Sequence, residues 1–197
     1  MEKSFWLTEL NDKIKARIVG KSYKPGCPVS FEDLRYLHVL HKDLSGKTLE
    51  GELICNVKIA ETLIDIFKKL HAASYPIEKI RLIDEYDAND ELSMRDNNSS
   101  CFNFRKVSFT DRISLHGYGL AVDINPLYNP YIKFIDDKKI IAPDNSAEYE
   151  DRNKNFPYKI MEDDLCCKLF VQHGFSWGGN YWEDELDYQH FFIERKN

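Results

Sequence analysis

A chain of 197 residues, 43% of them hydrophobic, carries enough apolar material to bury a sizeable core as one domain. Its net charge of −6 argues against a nucleic-acid binder, which would carry a basic face, and offers no attraction to an anionic membrane surface. No apolar run approaches the roughly 18 residues of a membrane-spanning helix, so no span is expected.

The start of the chain, Met1 to Leu7, lacks the apolar core of a signal peptide. The protein is therefore expected either to act in the cytoplasm or to be an exported bacterial protein trimmed of its leader. Cys27, Cys55, Cys101, Cys166 and Cys167 are odd in number and irregular in spacing, which fits neither a disulfide framework nor a cysteine metal site. Reduced, buried thiols are expected instead.

In chain order, Phe5 to Val19 places Leu7, Leu10, Ile14 and Ile18 at helical spacing, and Gly20 can end that helix. Tyr23 to Cys27 is a turn built on Pro25 and Gly26. Leu34 to Leu40 reads as a strand, broken by Ser45 and Gly46, with Glu52 to Cys55 returning as its partner. Asn56 is a good N-cap for an amphipathic helix whose apolar face, Ala60, Leu63, Ile64, Phe67 and Leu70, is expected to be core. Pro76 closes the connection, and Ile80 to Ile83 reads as a strand. Asp87 to Asn103 is rich in Asn, Asp and Ser and reads as a loop, either solvated or facing a substrate.

Leu120 to Ile124 reads as a short buried strand. Pro126 to Pro157 is a long irregular region with a hairpin over Phe134 to Ile140, and connections of that length are often functional. Met161, Leu165 and Leu169 mark a last helix ended by Gly174. His190 to Ile193 is a final strand. No repeat or linker divides the chain. The expectation is a single domain over 1–197, with a helix-and-strand part over 1–79 and a catalytic core over 80–197.

Two clusters carry the chemistry. The first is Ser114, His116, Gly117, Gly119 and Asp123; the second is Asp187 and His190. Catalytic zinc takes three protein ligands and leaves a position for water. His116, Asp123 and His190 can supply those three. An offset of seven would put His116 and Asp123 on opposite faces of a continuous strand, so the backbone must turn between them, and Gly117 and Gly119 can allow it. Asp187, three residues before His190, is placed to take a proton from water whose pKa a metal lowers. Asp184 is its rival in the same acidic run. By composition alone the clusters also fit two hydrogen-bonded histidines and a loop carboxylate. A Ser-His-Asp triad is disfavoured, because Ser114 and His116 are only two residues apart and no Gly-x-Ser-x-Gly elbow surrounds the serine. Ser114 is expected to orient a metal ligand.

The pattern Ser-x-His-x-x-Gly-x-Ala-x-Asp, present as Ser114, His116, Gly119, Ala121 and Asp123, is followed by Asp-x-x-His at Asp187 and His190. It resembles the zinc D-alanyl-D-alanine carboxypeptidase family, which includes VanY- and VanX-like enzymes and L-alanyl-D-glutamate endopeptidases. The aromatic approach from Gly174 to Gly179 is similar too, and the resemblance extends from about Ile80 onward. It implies an α+β fold, with a small, mainly antiparallel sheet carrying the metal site and helices packed on one side. It also implies one Zn2+ held by His116, Asp123 and His190, with Asp187 as general base. The substrate implied is a peptidoglycan stem peptide or short D-residue-containing peptide. D-Ala-D-Ala-type carboxypeptidase activity leads; an L-Ala-D-Glu-type endopeptidase, or a metal-containing binding protein without turnover, is the alternative.

The chain departs from the family at one point. An Arg commonly follows a Tyr in a turn after a strand, but here Asp87 follows Tyr86. Arg105, eleven residues before His116, is the expected replacement for stabilising substrate or oxyanion, with Arg95 next. Trp177, Tyr181 and Trp182 are candidates to line a pocket. His38, His41, His71 and His173 are expected to be structural or on the surface.

Overall fold

A computed structural model describes residues 4–107, 110–136 and 138–195. The chain opens with β1 (Trp6–Glu9) and α1 (Asp12–Ile18), so the helix expected from Phe5 to Val19 occupies only the second half of that span. The break falls at Asn11, whose Oδ1 accepts from Ile14 N at 3.0 Å and fixes the helix start. Before it, the aromatic and β-branched residues Trp6 and Thr8 pair with an available strand edge, which outweighs the helical spacing.

That edge belongs to β2 (Leu34–Lys42), antiparallel to β1 and, on its other side, to β3 (Thr48–Asn56). α2 (Val57–Ala72) leaves β3 directly, with Asn56 Oδ1 accepting from Lys58 N at 3.1 Å. Its buried face takes in Ala60, Leu63, Ile64, Phe67 and Leu70, as the periodicity predicts, and packs across β2. The same core cluster includes Leu37 and Leu53 from the sheet, Val122 and Ile124 from the middle of the chain, and Phe170 and Phe191 from its end. The N-terminal sheet and α2 therefore form the wall behind the C-terminal elements.

β4 (Lys79–Ile80) is shorter than the strand expected to reach Ile83, because the chain turns into a 3₁₀ segment at Ile83–Tyr86 that ends on Asp87 with φ +53°. The stretch from Asp87 to Asn103, expected as a loop, contains α3 (Asp90–Arg95) and β5 (Asn98–Ser99), the latter parallel to β4. Its residues Ser93, Asn97, Asn98, Ser99 and Asn103 are buried. Asn98 Nδ2 donates to Ser93 Oγ at 2.9 Å and to Arg81 O at 3.1 Å, and Asn97 Oδ1 accepts from Leu127 N at 3.1 Å. Polarity here marks an internal hydrogen-bond network, not solvation.

β6 (Ala121–Asp123) follows. The region from Pro126 to Pro157 holds the hairpin β7 (Tyr131–Ile135) and β8 (Lys138–Ala142), longer than the one expected. α4 (Leu165–Gln172) ends before Gly174, whose φ of +86° suits only glycine comfortably. Three short strands close the fold: β9 (Ser176–Trp177), β10 (Glu185–Asp187) and β11 (His190–Phe192). They give two antiparallel sheets, β6-β11-β9 and β10-β7-β8. The molecule is α+β, as expected, with its strands divided among several small, mainly antiparallel sheets. Among the described residues, no helix is long and apolar enough to cross a membrane. All five cysteines are free.

Candidate metal centre

Ser114 caps a 3₁₀ turn over Leu115–Tyr118, its Oγ accepting from His116 N at 3.3 Å. Gly119 then takes φ +66° and swings the chain into β6. A Cβ on Gly119 would lie 2.7 Å from Asn56 N, and Asn56 N donates to Gly119 O at 2.8 Å. The required turn between His116 and Asp123 thus exists, and it is docked on the start of α2. Gly117 serves differently: a Cβ there would meet Ile113 Cγ2 at 2.8 Å.

Asp123 ends β6 directly opposite His190, the first residue of β11. Opposed residues of an antiparallel pair share a face, so the two side chains converge. His116 Nδ1 lies 2.6 Å from Cys101 O. A carbonyl only accepts, so Nδ1 carries a proton, and in the neutral ring Nε2 is the bare nitrogen. That Nε2 is 3.1 Å from Asp123 Oδ2 and 3.2 Å from His190 Nδ1, and His190 Nδ1 is 2.8 Å from Asp123 Oδ1. Their donor atoms all lie within 4.8 Å of one another, and no other group of this kind occurs among the described residues.

The donor set suits a tetrahedral metal. Ligand atoms about 2.0–2.1 Å from zinc sit roughly 3.3 Å apart. The separations here are 2.8–3.2 Å, so a small expansion would admit the ion. The mix of two imidazoles and one carboxylate, without thiolates, is that of a catalytic site with an open position.

Charge is tightly balanced in this cluster. Burial works against ionisation of Asp123, but His116 and His190 outweigh it and hold its carboxyl far below the usual range. Burial likewise disfavours charge on His116, and Asp123 overrides it, lifting the imidazole above its ordinary value. Asp187 goes the other way. Burial, with Asp123 and Glu185 nearby, pushes its carboxyl up to about 8, against the pull of His190 and Arg105. Its Oδ1 is buried without a hydrogen-bond partner. Asp187 is held in place by its backbone, its N donating to Gly178 O at 2.9 Å, while a side chain on Gly178 would strike Asp187 Cβ at 2.9 Å. The rival Asp184 is exposed.

Residues 108–193 match the family model described as D-alanyl-D-alanine carboxypeptidase. Over this stretch the chain is similar to that peptidase family. The matched segment contains both clusters, from Ser114 to His190, though it begins further along than Ile80. Peptidases of this family are metal-dependent, and the buried His116, Asp123 and His190 could hold the ion. No curated protein and no solved structure matches the chain.

Other residues singled out in the sequence fall as follows. Arg105 is ion-paired with Asp90 through Nε, and its charge reaches both Asp187 and His116. Arg95 lies at the far end of α3, 3.4 Å from Asp144 and away from the cluster. Trp177 is 5% exposed and belongs to the core, its Nε1 donating to Tyr188 O at 2.9 Å. It therefore supports the strand that follows Asp187 and does not offer its ring to a ligand. Trp182 lies 6.1 Å from the His190 ring and is stacked on Phe192, which itself stacks on His190 at 5.3 Å. Tyr181 is exposed beside it. His38 stacks on Trp6, His41 is bonded to Ile77 O, His71 meets Phe5, and His173 meets Asp65; none is near the metal group.

Cys101, Asn103 and Asp90 also contact residues of the candidate site and were not visible in the sequence. Cys101 acts through its carbonyl, which leaves no side-chain signature. Asn103 and Asp90 lie in the stretch that read as a loop.

Proposed function

We propose that the chain is a zinc-dependent peptidase that hydrolyses peptidoglycan stem peptides, most simply as a D-Ala-D-Ala-type carboxypeptidase. The observation that carries the reading is the buried His116-Asp123-His190 cluster with the unpartnered carboxylate of Asp187 set against it.

In this reading His116, Asp123 and His190 hold one Zn2+, with Cys101 O and Ser114 Oγ fixing the ring and backbone of His116. The ion, when bound, polarises the scissile carbonyl and lowers the pKa of water. Asp187 accepts a proton from the attacking water. Hydroxide adds to the carbonyl carbon, the C–N bond breaks, and the same proton passes from Asp187 to the leaving amine. A carboxyl that titrates near neutrality can serve in both directions. Arg105 supplies positive charge for a substrate carboxylate or the developing oxyanion.

The endopeptidase reading stays beside it, because Asp87, paired with Lys21 on the surface, stands where family members commonly carry an Arg, and that departure leaves the substrate subclass open. The deciding experiment is a digest of purified peptidoglycan and short stem peptides, with and without chelator, read by mass spectrometry. Chelator-sensitive loss of a terminal D-Ala is expected. Cleavage inside the stem would make the protein an endopeptidase. No cleavage, with one zinc per chain, would point to a different peptide substrate or to a binding protein without turnover.

A further inference from the structure

Residues 102–106 cross behind the metal turn with their backbone bonds alternating from side to side, as in a strand. Phe102 N donates to Ile54 O at 3.0 Å and Phe104 N to Ser22 O at 2.9 Å. On the other side, Asn103 N donates to His116 O at 3.1 Å, and Arg105 O accepts from Ser114 N at 3.0 Å. The segment therefore grips the metal turn at both of its ends.

Alternation sends the side chains of Asn103 and Arg105 to one face, and one carboxylate meets both. Asp90 Oδ1 accepts from Asn103 Nδ2 at 2.9 Å, and Asp90 Oδ2 pairs with Arg105 Nε. No other carboxylate pairs with Arg105 among the described residues; its remaining contact is Nη1 to Lys106 O at 3.4 Å. The guanidinium is thus ion-paired through its buried Nε, and Nη2 makes no bond among the described residues. Both partners are about 30% exposed, so the pair sits at the rim of the site, not in the core.

We propose that Asp90 is a positioning residue of the peptidase site: it clamps Arg105 beside the metal cluster before substrate arrives, so that the free edge of the guanidinium is already aimed at an anionic group of the peptide. The proposal rests on the peptidase reading and names a residue that reading does not require. Arginine has many rotamers, and a side chain ordered in advance spares the bound state that ordering cost. Asn103 couples the clamp to the metal turn, because its side chain holds Asp90 while its backbone holds His116.

The test uses Asp90→Asn, which keeps the size and an oxygen for Asn103 but loses the charge, with Asp90→Glu as the conservative variant. The substrate is an acetylated stem peptide ending in D-Ala-D-Ala, as free acid and as C-terminal amide. In Asp90→Asn, KM for the free acid should rise up to about tenfold, the cost of ordering one long side chain on binding. kcat should stay within about threefold and zinc at one per chain, the free-acid preference over the amide should shrink, and Asp90→Glu should recover part of it. An unchanged KM, or loss of zinc together with activity, would overturn the proposal. A second readout needs no turnover: the Arg105 Nε–H resonance, identified by its absence in Arg105→Lys, should exchange slowly in the wild type. Exchange as fast as that of an exposed arginine would refute the clamp. The spectrum decides the clamp even if no peptide is cleaved, so the clamp and the peptidase reading fail separately.

Discussion

Replacing Gly119 by alanine tests whether the metal turn depends on its seat against α2. The substitution adds one methyl group, distant from any ligand atom, yet two penalties follow. At φ +66° a residue with a Cβ is strained by roughly 1–2 kcal/mol. The new carbon would also lie 2.7 Å from Asn56 N and 3.2 Å from Cys55 C. Both are backbone atoms at the junction of β3 and α2, so neither can rotate away as a side-chain tip could. Relief requires moving the turn or the helix start, an overpacking cost of about 1–3 kcal/mol. The total of about 2–5 kcal/mol corresponds to a fall in melting temperature of roughly 4–20 °C for a chain of this size. Because the strain is relieved by shifting the turn, zinc affinity should fall as well. Thermal melts with and without zinc, together with a competition titration against a chromogenic chelator, read both effects. A variant that melts within about 2 °C of wild type and keeps its zinc affinity would refute the argument that Gly119 seats the turn.

Asp187→Ala should retain one zinc per chain and lose about 100- to 10,000-fold in kcat, checked by metal analysis and peptide hydrolysis; full activity would remove Asp187 from the base role. The pH dependence of stability is a second check on the same carboxyl, made on metal-free protein. Its folded pKa is raised to about 8 from 3.8, so the folded state favours the neutral acid. Its contribution is fully present below pH 4 and is lost as pH climbs towards 8. Asp187→Asn, which stays neutral, should therefore gain in melting temperature relative to wild type as pH rises through that window. A difference that is flat with pH would argue that the carboxyl is not buried as described. Finally, His190→Ala should abolish stoichiometric zinc binding, measured by equilibrium dialysis, and added zinc should not restore hydrolysis as it does for chelator-treated wild type.

Much of the candidate site was legible because the residues the fold brings together are side chains at telling intervals. His116, Asp123, Asp187 and His190 stand out by residue type, and the odd offset between the first two forced a turn that Gly119 supplies. The core face of α2 was equally plain, since five apolar residues repeat at helical spacing and all are buried. The first helix was misjudged for a physical reason. Leu7 and Leu10 continue the spacing of Ile14 and Ile18, but the pairing of Trp6–Glu9 with β2 is non-local and leaves no periodic trace. The stretch before the metal motif misled for the opposite reason. Asn97, Asn98 and Asn103 are polar, which in a sequence reads as solvent, whereas here their amides bond to Ser93, Asp90 and the backbone inside the fold. Asp90 could not be connected with Arg105 without the fold that brings α3 back over residues 103–105.

The pairing of β6 with β11 places His190 opposite Asp123, 67 positions apart in sequence. A slip of one residue would turn the imidazole to the opposite face of the sheet, and a slip of two would carry it about 7 Å along the strand, beyond the reach of a common ion. Only one alignment of the last strand can chelate. A bound metal would therefore act as a proofreader of assembly, stabilising the correctly threaded chain over its near-neighbours, whereas an apo chain would rely on side-chain packing, such as that of Phe191 and Phe192, to tell one alignment from the next.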